Sequence, residues 1–215
     1  MTGAKGQLGK EFVRQLRDCY ALSREDLDIS DLDKVFSVIR ELRPQVIINC
    51  AAYNFVDKAE EEFERAIQVN ALGVFNLALA CKEIGALLVH YSTDYVFDGQ
   101  KVGLYKEDDR LNPLNKYGLS KYLGEEIIPK VLENYLIFRT SWVYGEGRQN
   151  FLYKLSRWMK TMECIRVACD EFSVPTSTRT IVEVTLMALK KRFDRSLSLS
   201  EYRLCLALRV GKRIS

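Results

Sequence analysis

Tyr117 and Lys121 stand four residues apart in the run Tyr117-Gly118-Leu119-Ser120-Lys121, a spacing that on a helix points both side chains from one face. A free phenol titrates near pH ~10, and each pH unit of lowering corresponds to about 1.4 kcal/mol. An ammonium ~4 Å away, at an effective dielectric of ~20, supplies roughly 4 kcal/mol. The pairing therefore predicts a tyrosine whose proton can be handed over near neutrality. A lone Y-x-x-x-K is commonplace on exposed helices, so the reading depends on what surrounds it, beginning with Ser92-Thr93-Asp94-Tyr95 upstream.

These residues need particular elements to deliver them. Leu87-Leu88-Val89-His90-Tyr91 reads as a strand, which leaves Ser92-Thr93-Asp94 at its carboxyl end, where open α/β sheets bind ligands. Asn112-Pro113 introduces the helix of Tyr117 and Lys121. Val46-Ile47-Ile48-Asn49-Cys50 is a continuous apolar run of the kind buried on both faces of a parallel sheet. It ends in Ala51-Ala52-Tyr53, small residues that let a cofactor lie close. Near the start, Gly3, Gly6 and Gly9 form a G-x-x-G-x-x-G turn, and Leu8, Phe12, Val13 and Leu16 follow at helical spacing. Glycines there let backbone N–H groups approach a pyrophosphate at the positive end of a helix. The motif alone is weak, and only Met1 precedes Thr2 where a hydrophobic strand belongs, so the first strand is expected to be missing.

The remaining elements alternate. A short strand is expected around Tyr20-Ala21-Leu22, and a helix over about 31–42 that buries Val35, Val38, Ile39 and Leu42 and stops at Pro44. A helix over about 64–84 is apolar nearly all round, at Ile67, Val69, Leu72, Phe75, Leu77 and Leu79, and predicts cover on both sides, with a partner subunit as one source. Tyr135-Leu136-Ile137-Phe138 is a strand ending in Arg139-Thr140-Ser141-Trp142. Then come a helix from about 150 to 160, a strand Ile165-Arg166-Val167-Ala168, the turn Pro175-Thr176 and a helix ending near Arg192. Residues 196–215 show no clean register. Strand and helix alternating in this way predict a doubly wound parallel sheet.

Composition narrows the function. The chain of 215 residues is 47% apolar and 28% charged, with net charge +3 and no basic block, which describes a globular chain and does not indicate nucleic acid. No run approaches the ~18 apolar residues of a membrane span, and no signal-peptide core opens the chain, so a cytoplasmic protein is expected. Cys19, Cys50, Cys81, Cys164, Cys169 and Cys205 contain no C-x-x-C pair, and four lie in or beside apolar stretches, as reduced packing residues do. A single histidine, His90, argues against a Ser-His-Asp triad or a multi-histidine metal centre. Its expected role is structural, on a strand.

Taken jointly, the glycine turn, Ala51-Ala52-Tyr53, Ser92-Thr93-Asp94-Tyr95 and Tyr117/Lys121 fall in the chain order of an extended short-chain dehydrogenase/reductase. More closely, Gly6-Gln7-Leu8-Gly9, Asn49-Cys50-Ala51-Ala52-Tyr53, Val56-Asp57-Lys58-Ala59-Glu60, Tyr91-Ser92-Thr93-Asp94-Tyr95-Val96-Phe97-Asp98-Gly99 and Arg139-Thr140-Ser141-Trp142 resemble the dTDP-4-dehydrorhamnose reductase family, over roughly residues 2–194. The resemblance implies a Rossmann-type NAD(P)-binding sheet over 1–150, lacking its first strand. It implies the start of a substrate lobe and the last sheet elements over 151–194, so that the C-terminal lobe is incomplete. Residues 195–215 are expected to be a frame-shifted tail, since permitted codons read one nucleotide later run without a stop into family-like sequence.

By the same resemblance the reaction is reduction of the C4 ketone of dTDP-4-dehydro-L-rhamnose, in the formation of dTDP-L-rhamnose for surface polysaccharide. Tyr117 would protonate the nascent alkoxide, Lys121 would bind the nicotinamide ribose and tune Tyr117, and Thr93 would hydrogen-bond the carbonyl oxygen. Asp94 and Trp142 would contact the sugar nucleotide. Gly3, Gly6, Gln7, Leu8 and Gly9 would hold the pyrophosphate, with Asp28 and Ile29 beside the adenine and Ala51, Ala52, Tyr53 and Tyr91 lining the rest of the groove. NADPH or NADH would serve, with Arg24 after Ser23 placed to accept a 2′-phosphate. A homodimer is expected as an option, and Mg2+ is admitted without a residue to hold it. Where the family commonly has Asp-Gln-x-Gly-x-Pro-Thr this chain reads Asp170-Glu171-Phe172-Ser173-Val174-Pro175-Thr176. Two alternatives stay open: a non-catalytic NADP-binding subunit resembling the methionine adenosyltransferase beta subunit, and an epimerase or dehydratase on the same scaffold. A dehydratase needs an added acid/base pair beside the threonine, and Asp94 is followed by Tyr95 instead of glutamate.

Overall fold

The fold is that of a computed structural model, which describes residues 1–147, 150–166 and 173–193 and the strand backbone at 203–205 and 208–209. Among the described residues, four parallel strands form the central sheet in the order β1-β2-β4-β7: β1 (Val46–Asn49), β2 (Leu87–Thr93), β4 (Tyr135–Thr140) and β7 (Arg203–Cys205). Register is continuous from Val46 opposite Leu87 to Asn49 opposite His90, and from Leu88 opposite Tyr135 to Thr93 opposite Thr140. Every residue of β2 and β4 is buried, which is why both read as unbroken apolar runs without alternation.

Helices cover both faces. On one lie α2 (Leu32–Leu42), α4 (Gly73–Ile84) and α5 (Lys116–Val131), packed through Val35, Ile39, Val74, Leu77 and Ile128 against Ile47, Leu88 and Ile137. On the other lie α1 (Gln7–Gln15) and α7 (Thr178–Phe193), whose Phe12, Ile181 and Val182 meet Ile48, Val89, Leu136 and Phe138. Helix α2 is capped by the Asp31 carboxylate, which accepts from the Lys34 N–H, and ends on Arg43 in the left-handed region, one residue before Pro44.

The edge beyond β1 differs from a full strand. Thr2 makes a parallel bridge to Asn49, its N–H donating to the Ile48 carbonyl, and the Leu22 and Ala4 amides bond to Met1 and Leu22 carbonyls. Residues 1–4 thus occupy the place of a central strand over two or three bonds. The strand expected at Tyr20-Ala21-Leu22 does not form a ladder; the short partner meets it through those two bonds and one from the Met1 ammonium to the Tyr20 carbonyl at 2.6 Å.

The long apolar helix is interrupted. Helix α3 (Phe63–Ile67) passes through a π turn at Gln68–Leu72 into α4. Cover is uneven: Leu77 is sealed, whereas Leu72 is 49% exposed and Ile67, Phe75 and Leu79 are half-buried. Between β2 and α5 a 3-10 turn at Asp94–Val96 leads to the short β3 (Leu104–Tyr105). After β4 comes β5 (Val143–Tyr144), which pairs in parallel with β6 (Thr176–Ser177). Helix α6 (Phe151–Thr161) has no fully buried residue. Ile165 and Arg166 are not in a strand, and the rest of that expected strand, at 167–168, lies outside the described residues. In the tail where no register was expected, β7 and β8 (Leu208–Arg209) pair with β4 and β3.

Candidate active site

Three elements bring the chemistry-bearing residues together above the carboxyl ends of β1 and β2. Asn115 caps α5, accepting from the Gly118 N–H at 2.7 Å. A Cβ on Gly118 would lie 2.3 Å from the Tyr95 carbonyl oxygen, and one on Gly124 would lie 2.0 Å from that of Asn70. The helix can sit this close to the Asp94–Val96 turn and to the π turn only because both residues are glycine. Asn70 locks the contact: its side chain bonds the Tyr53 N–H and carbonyl and the Ser120 hydroxyl, all within 3.0 Å.

Tyr117 and Lys121 are both buried, at 8% and 3% exposure. The ring of Tyr117 meets that of Tyr95 edge-on at 5.7 Å, and its hydroxyl donates to Asn54 Oδ1 at 3.4 Å. Lys121 Nζ donates to the Tyr91 carbonyl at 2.6 Å. Burial first, and then the Asp94 carboxylate, push the Tyr117 phenol above its ordinary range, while a hydrogen bond with Thr93 pulls it down. Burial lowers Lys121 to about 8, against the opposing charge of Glu125. The tuning expected from the Y-x-x-x-K spacing is therefore corrected for the resting site. Lys121 is drawn to strand backbone, and desolvation outweighs any benefit its charge gives the phenolate.

Thr93 and Asp94 close the site. Thr93 Oγ1 donates to Asp94 Oδ1 at 3.0 Å and accepts from the Tyr95 N–H at 3.3 Å. Ser141 and Ser173 hydroxyls reach Asp94 Oδ2 at 2.6 and 3.4 Å, and also touch each other. Asp94, expected to touch substrate, thus has both oxygens engaged by protein hydroxyls. Trp142 is half-exposed with φ +42°, outside the usual range for a bulky residue, and meets Phe151 edge-on at 4.9 Å. It is not a core tryptophan.

The nucleotide-binding turn fits the residues required of it. Gly3 has φ +67°, and a Cβ there would strike the Cys50–Ala51 peptide at 2.6 Å; one on Gly9 would strike the Gly3 carbonyl at 2.3 Å. These two glycines let the turn pack on the end of β1. Gly6 has only the Gly3 carbonyl near its missing Cβ, at 3.2 Å, so its flank is open toward the α1 N-terminus, where the N–H groups of Gln7, Leu8 and Gly9 lack intrahelical partners. Gln7 Oε1 is buried without a hydrogen-bond partner, a polar atom suited to a ligand group. Ala51 and Ala52 are half-buried, and the Tyr53 hydroxyl donates to Glu62 at 3.0 Å.

Two expected groove residues are placed elsewhere. The Ile29 side chain is 2% exposed in the core against Gly73, and Tyr91 is 8% exposed with its hydroxyl on Thr185 at 2.9 Å. Period-two alternation turns the Tyr91 side chain to the α7 face and leaves its carbonyl to Lys121, while the Ile29 carbonyl accepts from Asn76 at 3.0 Å. Asp28 accepts from Ser30 and from Arg24, at 3.0 Å for the latter. Among the described residues no group of three His, Cys, Asp or Glu side chains could hold a metal ion. Sequence reading missed Asn54, which carries no signal, and Ser141 and Ser173, which lie inside the motifs quoted above.

Behind the site, Arg139 and Glu125 form an ion pair with both side chains fully buried. Arg139 Nε bonds Glu125 at 3.0 and 3.2 Å, its Nη1 donates to the Glu107 carbonyl at 3.0 Å, and its guanidinium lies 5.1 Å above the Phe97 ring.

Comparison with known proteins gives one family and a consistent set of relatives. The family model described as RmlD substrate binding domain matches residues 1–204. The chain is 40% identical over 190 residues to the spore coat polysaccharide biosynthesis protein SpsK of Bacillus subtilis, covering 86% of this chain and 67% of that one. It is 40% identical over 192 residues to the dTDP-4-dehydrorhamnose reductase of Burkholderia thailandensis, covering 88% and 64%. The solved dTDP-4-dehydrorhamnose reductase of Bacillus anthracis in complex with NADP is similar with TM-score 0.85 and 38% identity, over 96% of this chain and 73% of that one. The chain spans about two thirds of the length of these curated relatives.

Proposed function

This chain belongs to the dTDP-4-dehydrorhamnose reductase family, and on that premise we propose that it reduces the C4 ketone of dTDP-4-dehydro-L-rhamnose to dTDP-L-rhamnose with NADPH in the cytoplasm. The observation that carries the reading is that Tyr117 and Lys121 are buried on α5 against the end of β2, with Thr93 in hydrogen-bond reach of the phenol and the ammonium on the Tyr91 carbonyl. A nicotinamide, when bound, supplies the hydride to C4.

The chain's own residues do the rest. Thr93 offers its hydroxyl to the carbonyl oxygen, where negative charge grows. Tyr117 hands its phenolic proton to that oxygen; its raised pKa keeps the proton in place until an alkoxide, a far stronger base, takes it. Lys121 has three N–H donors, and with one on Tyr91 two remain for a ribose hydroxyl. Gly6, Gln7 and Leu8 hold the pyrophosphate through backbone N–H groups, Asp28 and the Ile29 backbone flank the adenine, and Arg24 turns from Asp28 to a 2′-phosphate. Trp142 offers an apolar wall to the deoxysugar. All of these groups come from one chain, so the reading does not require a homodimer.

The test is NADPH oxidation with the keto-sugar nucleotide. Tyr117→Phe should lower turnover by about 10²–10⁴-fold and leave NADPH affinity unchanged, since only the proton donor is lost. Turnover of that variant within a few-fold of the parent would refute the assignment. An active fold with no cofactor oxidation would make the protein a binding subunit instead.

A further inference from the structure

Trp142 holds φ +42°, a backbone angle that a bulky side chain rarely keeps, because its Cβ then crowds the neighbouring backbone. Such an angle persists where the surroundings fix the peptide planes on both sides of it. Both planes are held here. On the amino-terminal side the Ser141 hydroxyl, at 1% exposure, donates to Asp94 Oδ2 at 2.6 Å. On the carboxyl-terminal side the Trp142 carbonyl accepts from the Thr176 N–H at 3.4 Å, where the β5–β6 pairing begins. The two segments stay in contact beyond that point, since a Cβ on Gly145 would lie 2.3 Å from Thr178 Oγ1.

Ser173 joins the two anchors. It stands three residues before Thr176, and its hydroxyl touches that of Ser141 and lies 3.4 Å from Asp94 Oδ2. Each hydroxyl has one proton. With the Ser141 proton on Asp94, the contact between the two serines takes the proton of Ser173, so the donors run Ser173 to Ser141 to the Asp94 carboxylate. Thr93 occupies the other carboxylate oxygen at 3.0 Å. Hydroxyls that line up on a charged acceptor strengthen one another. Where the family motif commonly has glycine, this chain has Ser173, and glycine has no side chain with which to close the link.

We propose that the clasp of Ser173, Ser141 and Asp94 positions Trp142, holding the indole as the wall for the deoxysugar in a role that rests on the proposed reduction. Ser173 is the positioning residue that ties the 173–177 segment to the end of β4. Phe151 backs the indole edge-on at 4.9 Å, so the ring is fixed through its backbone by the clasp and through its edge by α6. Cutting the clasp leaves Phe151 in place and frees the backbone, which lets the indole leave its angle.

The experiment uses Ser173→Ala, which removes the hydroxyl, and Ser173→Thr, which keeps it. Ser173→Ala should raise KM for the keto-sugar nucleotide about three- to tenfold, the worth of one hydrogen bond. The change in kcat should be smaller, because a wall contact serves substrate and transition state alike. Ser173→Thr should restore KM to within about twofold of the parent. On a Trp142→Ala background Ser173→Ala should have no further effect, since the ring that it positions is gone. KM unmoved by Ser173→Ala, or an equal rise on the Trp142→Ala background, overturns the proposal. If the parent shows no reductase activity, or Trp142→Ala leaves KM unchanged, the reading of the reaction has failed instead. The fluorescence of Trp142, the one tryptophan left in Trp158→Phe protein, then decides this inference alone. Acrylamide quenching that rises in Ser173→Ala and returns to the parent value in Ser173→Thr supports the clasp; equal quenching in all three refutes it.

Discussion

His90 shows how one buried side chain writes a pH dependence into the whole fold. It is 1% exposed on β2, with Nδ1 3.2 Å from Asn49 Nδ2 and Nε2 buried without a partner. Burial first, and then the charge of Lys121, hold its pKa well below 6.5. The folded chain therefore keeps His90 neutral at pH values where the unfolded chain binds a proton, so stability rises with pH and is lost as pH falls below about 6.5, by up to about 1.4 kcal/mol per pH unit. Thermal unfolding between pH 5 and 7 should show this slope, and His90→Asn, which keeps an acceptor for Asn49, should flatten it. An identical slope in the variant would assign the acid sensitivity elsewhere. The two free thiols nearest the core bear the opposite sign: burial pushes Cys50 and Cys81 up to about 12, so neither is a reactive thiolate at neutral pH.

At the scale of elements, the site depends on how α5 is held against the sheet. The two glycines set its distance from the turns, and the Arg139–Glu125 pair sets its position on β4 from behind while tethering the 97–107 loop through Glu107. Breaking such a pair strands a buried charge and costs about 3–5 kcal/mol, whereas replacing both partners by apolar groups is often neutral. Arg139→Met should lower the urea midpoint by an amount equivalent to that range, a large share of a stability of about 5–15 kcal/mol. Arg139→Met combined with Glu125→Leu should recover most of the loss. A single variant that costs less than about 1 kcal/mol would show that the pair does not hold the helix.

At the scale of the molecule, a cofactor that binds the folded sheet alone must raise its melting temperature by mass action. NADPH at 100 times its Kd adds about 2.7 kcal/mol, or roughly 5–10 °C for a chain of this size. NADH should give a smaller shift, because Arg24 leaves an exposed pair with Asp28 that is worth little to meet a 2′-phosphate. Arg24→Ala should bring the two shifts together. Equal shifts in the parent would remove Arg24 from cofactor selection.

The sequence by itself determined the layer order and the identity of the reacting side chains. Unbroken apolar runs at β1, β2 and β4 must be covered on both faces, and the Asp31 cap, Pro44 and the glycine turn mark boundaries through local backbone chemistry that needs no distant partner. Tyr117 and Lys121 share a face because helical periodicity is local. What their charges do to one another was not legible, since it depends on where the ammonium lies and on how dry the site is; the sheet draws Lys121 to Tyr91 and leaves Tyr117 with a raised pKa. The same limit hid Asn54 and the clasp of Ser141 and Ser173 on Asp94, residues 47 and 79 positions from it. Periodicity also could not say that Ile29 and Tyr91 face the core. Direction along a strand is local, but which face becomes groove and which becomes core is settled only when the helices dock.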